Sequence, residues 1–204
     1  MEFAELVNFF KKNAVTIALI TLLCALLGCI SYYVLPQKYL ATGSLFVHRT
    51  VDKGSSQFFT YEGYYGQQTA IAYTNTVAGI LESTDIKSLA LIHFDQKVNE
   101  QTLRKISKQI KVKKTSPQLL TLTIKGNSSE AGLELWKYIT RETIELTNVI
   151  NKNGDPALQI AVLGNPVVKA QYRNILINTV VGLGFGFLIS TFGIALVKFI
   201  KGAK

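Results

Sequence analysis

Apolar residues concentrate in two uninterrupted blocks, one near each end of the chain. The first runs from Ala14 to Leu35 and the second from Ile175 to Val197, and neither contains a charged side chain. At about 1.5 Å of rise per residue, each block is long enough to cross a hydrocarbon core about 30 Å thick. The pattern therefore predicts two transmembrane helices.

The flanks of the two blocks predict how the chain is oriented. The first block follows Lys11 and Lys12, as a secretory signal would, but it exceeds the about 7–15 apolar residues of a signal. It also ends at Tyr32 and Tyr33, which suit a membrane interface, so we expect a retained anchor. Lysines precede the first block and follow the second, which predicts that both termini are cytoplasmic.

The predicted layout has five parts. Residues 1–13 and 198–204 are cytoplasmic ends, residues 14–35 and 175–197 are transmembrane helices, and residues 36–174 form one extracytoplasmic domain. The main domain is therefore expected outside the cytoplasm.

Between the apolar blocks, alternating and helical patterns divide the domain into short elements. Strands are predicted at 39–47, 110–113 and 119–125, an extended return stretch at 157–168, and helices at 67–81, 86–92, 99–107 and 128–151. Both ends of the domain must meet the bilayer on the same side, so the first and last extended segments are expected side by side. The predicted fold class is α+β with a membrane-proximal sheet.

Three local features carry more specific expectations. The stretch from Asp52 to Gly66, rich in Gly, Ser and Tyr, predicts a surface loop, and Asn127 with Glu130 has the spacing of a capping box. The last helix has an apolar face that is predicted to be buried: Leu135, Trp136, Ile139, Leu146, Val149 and Ile150. On its opposite side, Leu133 and Ile144 are either exposed or contact a neighbouring subunit.

No residue pattern predicts catalysis. The chain lacks a Gly-x-x-x-x-Gly-Lys-Ser/Thr sequence, so no nucleotide site is expected. His48 and His93 have no carboxylate or cysteine at ligand spacing and are expected to be ordinary histidines. The two cysteines, Cys24 and Cys29, lie inside the first apolar block. We expect no enzyme activity, no metal and no cofactor.

Glycines in the second block point to close helix packing. Gly182, Gly186 and Gly193 remove side chains from one strip of the predicted helix, so that another helix can approach closely. The partner could be the first helix, a neighbouring subunit or a polymerase. Alternatively, the glycines reflect only their general frequency in membrane helices.

Two clusters in the domain are candidate contact sites. The first is basic: Arg104, Lys105, Lys108, Lys111, Lys113 and Lys114. It is either a site for an anionic partner, such as lipid headgroups, an acidic glycan or an acidic patch of the next subunit, or a solvated face. The second is aromatic: Phe58, Phe59, Tyr61, Tyr64 and Tyr65. Its rings either contact carbohydrate or fill a loop or a subunit contact.

Taken in order, these segments resemble the chain length determinant or polysaccharide co-polymerase (Wzz-type) family of bacterial envelope polysaccharide export. The resemblance rests on the segment 36–47 after the first block, and on the strand, strand and helix-start order from 106 to 132. Pro36, Tyr39 and Pro166 match its membrane-proximal motif, with fewer prolines than the family often carries. The short form of the chain resembles the adaptor-like members of the family, which pair with a separate tyrosine kinase.

The resemblance implies a non-catalytic, homo-oligomeric scaffold in the bacterial plasma (inner) membrane. Such a scaffold would regulate the chain length or export of a surface polysaccharide, whether O-antigen, capsule or exopolysaccharide, and would contact a polysaccharide polymerase and the glycan. One alternative is a membrane adaptor that activates a separate tyrosine kinase of polysaccharide synthesis. Another is an unrelated two-span sensor or assembly scaffold. The lipid bilayer is an expected partner in every case, and nucleic acid in none.

Overall fold

The computed structural model describes residues 3–50 and 61–202, and the chain divides into two compact units. The first unit combines Met1–Pro36 with Tyr172–Lys204, and the second is Gln37–Gln171. The elements in chain order are α1 (Phe3–Val34), β1 (Tyr39–Arg49), α2 (Tyr61–Glu82), α3 (Thr84–His93), α4 (Glu100–Gln109), β2 (Ile110–Ser116), β3 (Leu119–Gly126), α5 (Ser129–Lys152), β4 (Leu158–Ala170) and α6 (Ile175–Gly202).

The first unit consists of α1 and α6, which pack against each other in antiparallel fashion. Gly28 of α1 lies beside Asn178, whereas the earlier residue Thr21 lies beside the later residue Gly186. Within these helices, Phe10–Val34 and Ile175–Val197 are long and apolar enough to cross a bilayer. Only 11% of the apolar stretch of each helix is buried, so large apolar side chains remain on the outer surface of the pair.

The second unit contains a four-stranded antiparallel sheet with strand order β2-β3-β1-β4. Tyr39, the first residue of β1, lies opposite Gly126 of β3 and Ala170 of β4. The first and last strands are therefore neighbours. This was expected because both ends of the domain must meet the bilayer on the same side. The predicted α+β class is confirmed.

The ladder between β1 and β4 contains one irregularity. Thr42 pairs with Val167 and Ser44 with Leu163, so residues 164–166 of β4 face the single residue between them. Gly164 has a φ of 69°, a left-handed conformation that glycine adopts without a steric penalty. Pro166 cannot donate a backbone hydrogen bond, which is tolerated at a bulge in an edge strand.

The hydrophobic core lies between the helices and one face of the sheet. Strand residues of the core alternate with residues on the other face of the sheet, as the period of two in a strand requires: Ala41, Leu45, Val47, Leu120, Leu122 and Ile124. Trp136 of α5 is 2% exposed, and its indole Nε1 donates a hydrogen bond to the carbonyl oxygen of Leu122 at 3.0 Å. This indole fixes α5 against the sheet.

The predicted loop from Asp52 to Gly66 is wrong over residues 61–66, where α2 has already begun. Gly66 and Ala70 are buried within this helix, because their small side chains let α2 pack closely on the rest of the unit. Tertiary packing thus overrides the turn preference of the local sequence. The remainder of the predicted loop, 52–60, lies outside the described residues.

The cap of α5 is Ser128 rather than the predicted Asn127. The Ser128 hydroxyl accepts a hydrogen bond from the backbone N–H of Ala131 at 3.1 Å, which satisfies one orphan amide of the first turn. The side-chain oxygen of Asn127 instead accepts a hydrogen bond from Nζ of Lys38 at 2.6 Å. The expected capping box is therefore absent, and a single N-cap hydrogen bond at Ser128 takes its place.

The buried face of α5 is also partly different from the predicted one. Trp136 and Ile139 are buried, but Leu146, Val149 and Ile150 are 39%, 58% and 48% exposed. The second half of the helix instead buries polar side chains: Thr140, Thr143, Thr147 and Asn151. The Asn151 amide donates to the carbonyl of Leu158 and the Thr147 hydroxyl to that of Thr143. These hydrogen bonds satisfy the Asn151 amide and the Thr147 hydroxyl, whereas the hydroxyls of Thr140 and Thr143 are buried without a hydrogen-bond partner among the described residues.

Candidate functional site

The tightest contact between α1 and α6 is made by glycines. A Cβ atom at Gly182 would lie 2.5 Å from the carbonyl oxygen of Cys24, and one at Gly186 would lie 2.7 Å from Cβ of Cys24. Real Cβ atoms do not approach other atoms this closely, so any larger residue at either position would push the helices apart. The spacing of four residues places both glycines on the strip that faces α1.

Gly28 of α1 completes this contact from the other side. A Cβ atom there would lie 2.5 Å from the carbonyl oxygen of Asn178 and 3.4 Å from Cα of Gly182. Sequence reasoning missed Gly28, although Thr21, Ala25 and Gly28 form a strip of small residues at helical spacing that could have indicated it. We call Gly28, Gly182 and Gly186 the glycine contact.

Gly193 does not belong to the glycine contact. A Cβ atom at Gly193, or at Gly184, would meet no atom within 4 Å. The structure therefore brings together two of the three glycines singled out from the sequence and leaves the third facing open space. Gly184 provides a natural control position, because it lies on the same helix between the two contact glycines.

A second link within the first unit joins the end of α1 to the start of α6. Arg173 donates hydrogen bonds to the backbone carbonyls of Leu35, at 2.7 Å, and Tyr32. Its guanidinium also lies 4.8 Å from the centroid of the Tyr32 ring. The last carbonyls of a helix lack intrahelical partners and carry partial negative charge, so a cation there is stabilising. Nothing in the local sequence pattern had indicated this role.

The membrane-proximal motif residues occupy three different positions. Pro36 follows α1 and Tyr39 begins β1, whereas Pro166 lies in the bulged part of β4. Tyr39 pairs with Ala170, so Tyr39 and Pro166 lie on adjacent strands without being opposite each other.

The basic cluster is divided among three surfaces. Arg104, Lys105 and Lys108 are exposed on α4, where Arg104 pairs with Glu100 at 2.7 Å. Lys114 lies on the helix side of the sheet and donates to the Asn75 side chain at 2.8 Å. The remaining two residues, Lys111 and Lys113, lie on the face of the sheet turned away from the helices.

That second sheet face, which we call the open face, consists of the strand side chains that alternate with the core residues. None of these open-face side chains is fully buried, in contrast to the core positions between them. The register adds Lys125 and Lys169 to Lys111 and Lys113 on the open face. Sequence reasoning grouped Lys111 and Lys113 with the basic residues of α4 and did not include Lys125 or Lys169.

The aromatic cluster is only partly described. Phe58 and Phe59 lie outside the described residues, and Tyr61 is the first residue of α2. Tyr64 and Tyr65 are exposed in the first turns of this helix, with their ring centroids 5.8 Å apart.

The two histidines lie in separate aromatic contacts. The His48 ring stacks on Phe46 at 5.6 Å, and the His93 ring stacks on Tyr138 at 4.0 Å. The pKa of Tyr138 is raised above its usual value. Burial is the larger cause, and the nearby Glu142 carboxylate is the second. Among the side chains that the structure describes, no group of three His, Cys, Asp or Glu residues is placed to hold a metal ion.

Comparison with known proteins gives one family match. Residues 1–93 match the model of the Wzz family, described as chain length determinant protein. The matched part includes α1, β1, α2 and α3, and so confirms the resemblance drawn from the sequence after the first apolar block. No curated protein matches the chain.

Proposed function

We propose that this chain is a membrane scaffold that regulates the length of a bacterial surface polysaccharide. The proposal follows from the match of residues 1–93 to the chain length determinant (Wzz) family. The family match is the observation that carries this proposal. The family regulates polysaccharide chain length, and the proposal extends this to a homo-oligomeric, non-catalytic scaffold. The chain itself would make and break no glycosidic bond.

The first unit supports a position in the inner membrane. Its two helices carry exposed large apolar side chains along their length, such as Leu19, Leu26, Phe185 and Phe192. Exposure of this much apolar surface to water is unfavourable, whereas a lipid environment accommodates it. Lysines lie next to each span on the side of the chain terminus, which supports cytoplasmic termini and an extracytoplasmic second unit.

The glycine contact supports a scaffold that acts through a rigid helix pair. In a bilayer the hydrophobic effect does not drive two apolar helices together, so their association depends on close packing. Gly28, Gly182 and Gly186 supply that packing, and the Arg173 link closes one end of the pair. The outer surfaces of both helices then remain available to neighbouring subunits or a polymerase.

Exposed apolar side chains on the second unit support self-association. Leu146, Val149 and Ile150 lie at the end of α5, where they are too exposed to contribute fully to the core. Apolar side chains grouped on a surface are typical of protein contacts. This group is the surface we assign to a neighbouring subunit of the same chain.

The length distribution of the surface polysaccharide tests the proposal. We expect that deletion of the gene abolishes the modal glycan length on a gel and that expression of the full chain restores it. An unchanged distribution after deletion would exclude length control. If the modal length disappears together with the tyrosine phosphorylation of a co-purifying kinase, the chain is instead an adaptor for that kinase.

A further inference from the structure

The open face of the sheet has a regular arrangement of lysines and hydroxyl groups. In one cross-strand row Lys111 lies opposite Thr123, and Thr123 lies opposite Thr42. In the next row Lys113 lies opposite Thr121, which lies opposite Ser44. Successive rows on one face are about 7 Å apart, and adjacent strands are about 4.8 Å apart. Each row therefore begins with an ammonium group, continues with two hydroxyl groups and ends on β4 at an apolar residue, Val167 or Leu163.

Two further lysines extend this surface at the end where β1 begins. Lys125 of β3 and Lys169 of β4 both lie opposite Leu40 of β1 and therefore flank it on either side. Lys125 is also the diagonal neighbour of Lys111, because Lys111 is paired with Thr123. The four lysines therefore lie in the three successive rows of the open face that contain Leu40, Thr42 and Ser44.

The charge on this surface is uncompensated within the described part of the chain. None of the open-face positions in the four strands is acidic, and none of the four lysines forms an ion pair with a described residue. A field of one sign over a surface attracts anions and concentrates them there. The surface therefore favours an extended, negatively charged ligand.

A second copy of this chain is a poor match for that ligand. Several of its carboxylates are already paired within their own domain: Glu100 with Arg104, Glu142 and Glu145 with Arg141, and Asp155 with Arg49. The chain has 22 lysines and arginines against 13 acidic residues, so a second copy offers this face more positive than negative charge. The hydroxyl groups beside the lysines also favour a ligand that has many hydroxyl groups of its own.

We propose that the open face binds an acidic polysaccharide, with Lys111, Lys113, Lys125 and Lys169 contacting its carboxylate or phosphate groups. The hydroxyl groups of Thr42, Ser44, Thr121 and Thr123 lie where they can exchange hydrogen bonds with the sugar hydroxyls. This inference rests on the proposed function for the presence of a glycan at this domain. It adds the charge class of the glycan and the surface that holds it.

Binding of the full chain in phosphatidylcholine nanodiscs to polygalacturonate tests this proposal without reference to glycan length. Dextran of matched length serves as the neutral glycan, and phosphatidylglycerol vesicles serve as the anionic lipid. The variant is Lys111→Gln/Lys113→Gln. Its control is Lys105→Gln/Lys108→Gln, which removes the same charge from exposed lysines on α4.

We expect polygalacturonate to bind more tightly than dextran and, per charge, more tightly than the vesicles. The open-face variant should weaken polygalacturonate binding about tenfold, with less than about twofold change in the α4 control. Added salt should weaken the interaction further, because exposed charges are screened. Equal melting curves for the two variants would show that both are folded.

Four results would overturn the proposal: absent polygalacturonate binding, equal binding of dextran, equal losses in the two variants, or vesicle binding at least as strong per charge. The last result would identify anionic lipid as the ligand. Because glycan length does not enter this measurement, its failure leaves length control untouched. Conversely, normal glycan length after gene deletion would contradict length control, but it would not change the result of the polygalacturonate measurement.

Discussion

At the scale of single residues, Gly43 determines how closely α5 approaches the sheet. A Cβ atom on Gly43 would overlap the buried indole ring of Trp136. The indole cannot move away without losing its hydrogen bond to the carbonyl of Leu122. Here glycine is required by a close approach, not by a special backbone angle.

We therefore expect Gly43→Ala to lower the free energy of unfolding of the second unit by about 1–3 kcal/mol, the usual cost of overpacking a core. Fluorescence of the single tryptophan, Trp136, reports this transition in the full chain. The matched control is Gly79→Ala in α2, where a Cβ atom meets nothing within 4 Å. This control should be neutral or stabilising by up to about 1 kcal/mol, because alanine favours helix. Equal effects at both sites would contradict the packing argument.

The ion pair between Arg49 and Asp155 makes the stability of the second unit depend on pH. Nε of Arg49 lies 2.7 Å from Oδ2 of Asp155, and this hydrogen bond holds the pKa of Asp155 below its usual value of 3.8. A lowered pKa in the folded state stabilises that state above the unfolded-state pKa. The contribution is lost as the pH falls through the folded-state value.

We expect Asp155→Asn to lower the free energy of unfolding by less than about 1 kcal/mol at neutral pH, since the pair is partly exposed. The asparagine can still accept the hydrogen bond that Ala157 donates to Asp155. The difference between wild type and variant should shrink below about pH 4, as the aspartate becomes protonated. Thermal melts across this range measure it, and a constant difference from neutral to acidic pH would contradict the assignment.

At the scale of elements, the glycine contact predicts which positions of α1 and α6 can be cross-linked. In a Cys29→Ala background, Gly186→Cys should form a disulfide with Cys24, because Cβ of Cys24 lies beside this position. The helices must separate by about 1 Å to reach disulfide geometry. Intact-mass measurement after mild oxidation and alkylation detects the bond. Gly184→Cys, which faces open space, should remain reduced, and cross-linking of both would contradict the described helix faces.

Most elements of the second unit could be predicted from the sequence, because their patterns are local. The alternation of apolar and polar residues from Leu120 to Lys125 predicted the strand β3. The side of α5 could not be predicted in the same way. Its second half buries Thr143 and Thr147 because neighbouring elements cover this side of the helix and the Thr147 hydroxyl donates to the carbonyl of Thr143, and no local pattern contains that information.

The candidate sites were predicted less completely than the fold, for a similar reason. Gly182 and Gly186 share a helix face with each other in any α-helix, so four-residue spacing was sufficient to group them. The lysines of the open face come from β2, β3 and β4, and only the strand order brings Lys169 near Lys125. Grouping residues across strands requires the register, which the sequence does not display.

At the scale of the whole molecule, the two units have different physical roles in the proposed function. The first is an apolar helix pair whose exposed surface suits a bilayer. The second is a folded α+β domain with its own core and a basic open face. The topology proposed here places the second unit outside the cytoplasm.

Labelling of single cysteines in intact cells tests this topology. In a background without the native cysteines, Lys137→Cys on α5 should react with a membrane-impermeant maleimide, because its position is exposed and, in the proposed topology, extracytoplasmic. Lys11→Cys, which precedes the first span, should react only after the membrane is permeabilised. Reversed labelling of the two variants would contradict the orientation derived from the flanking lysines.

The most direct test of length control by a packed helix pair compares Gly186→Leu with Gly184→Leu in cells that lack the wild-type gene. Both variants add the same side chain to α6, but only position 186 faces α1. At equal protein levels on an immunoblot, we expect Gly184→Leu to retain the modal length of the surface polysaccharide and Gly186→Leu to broaden or abolish it. Wild-type glycan lengths in both variants, or equal loss in both, would contradict this account.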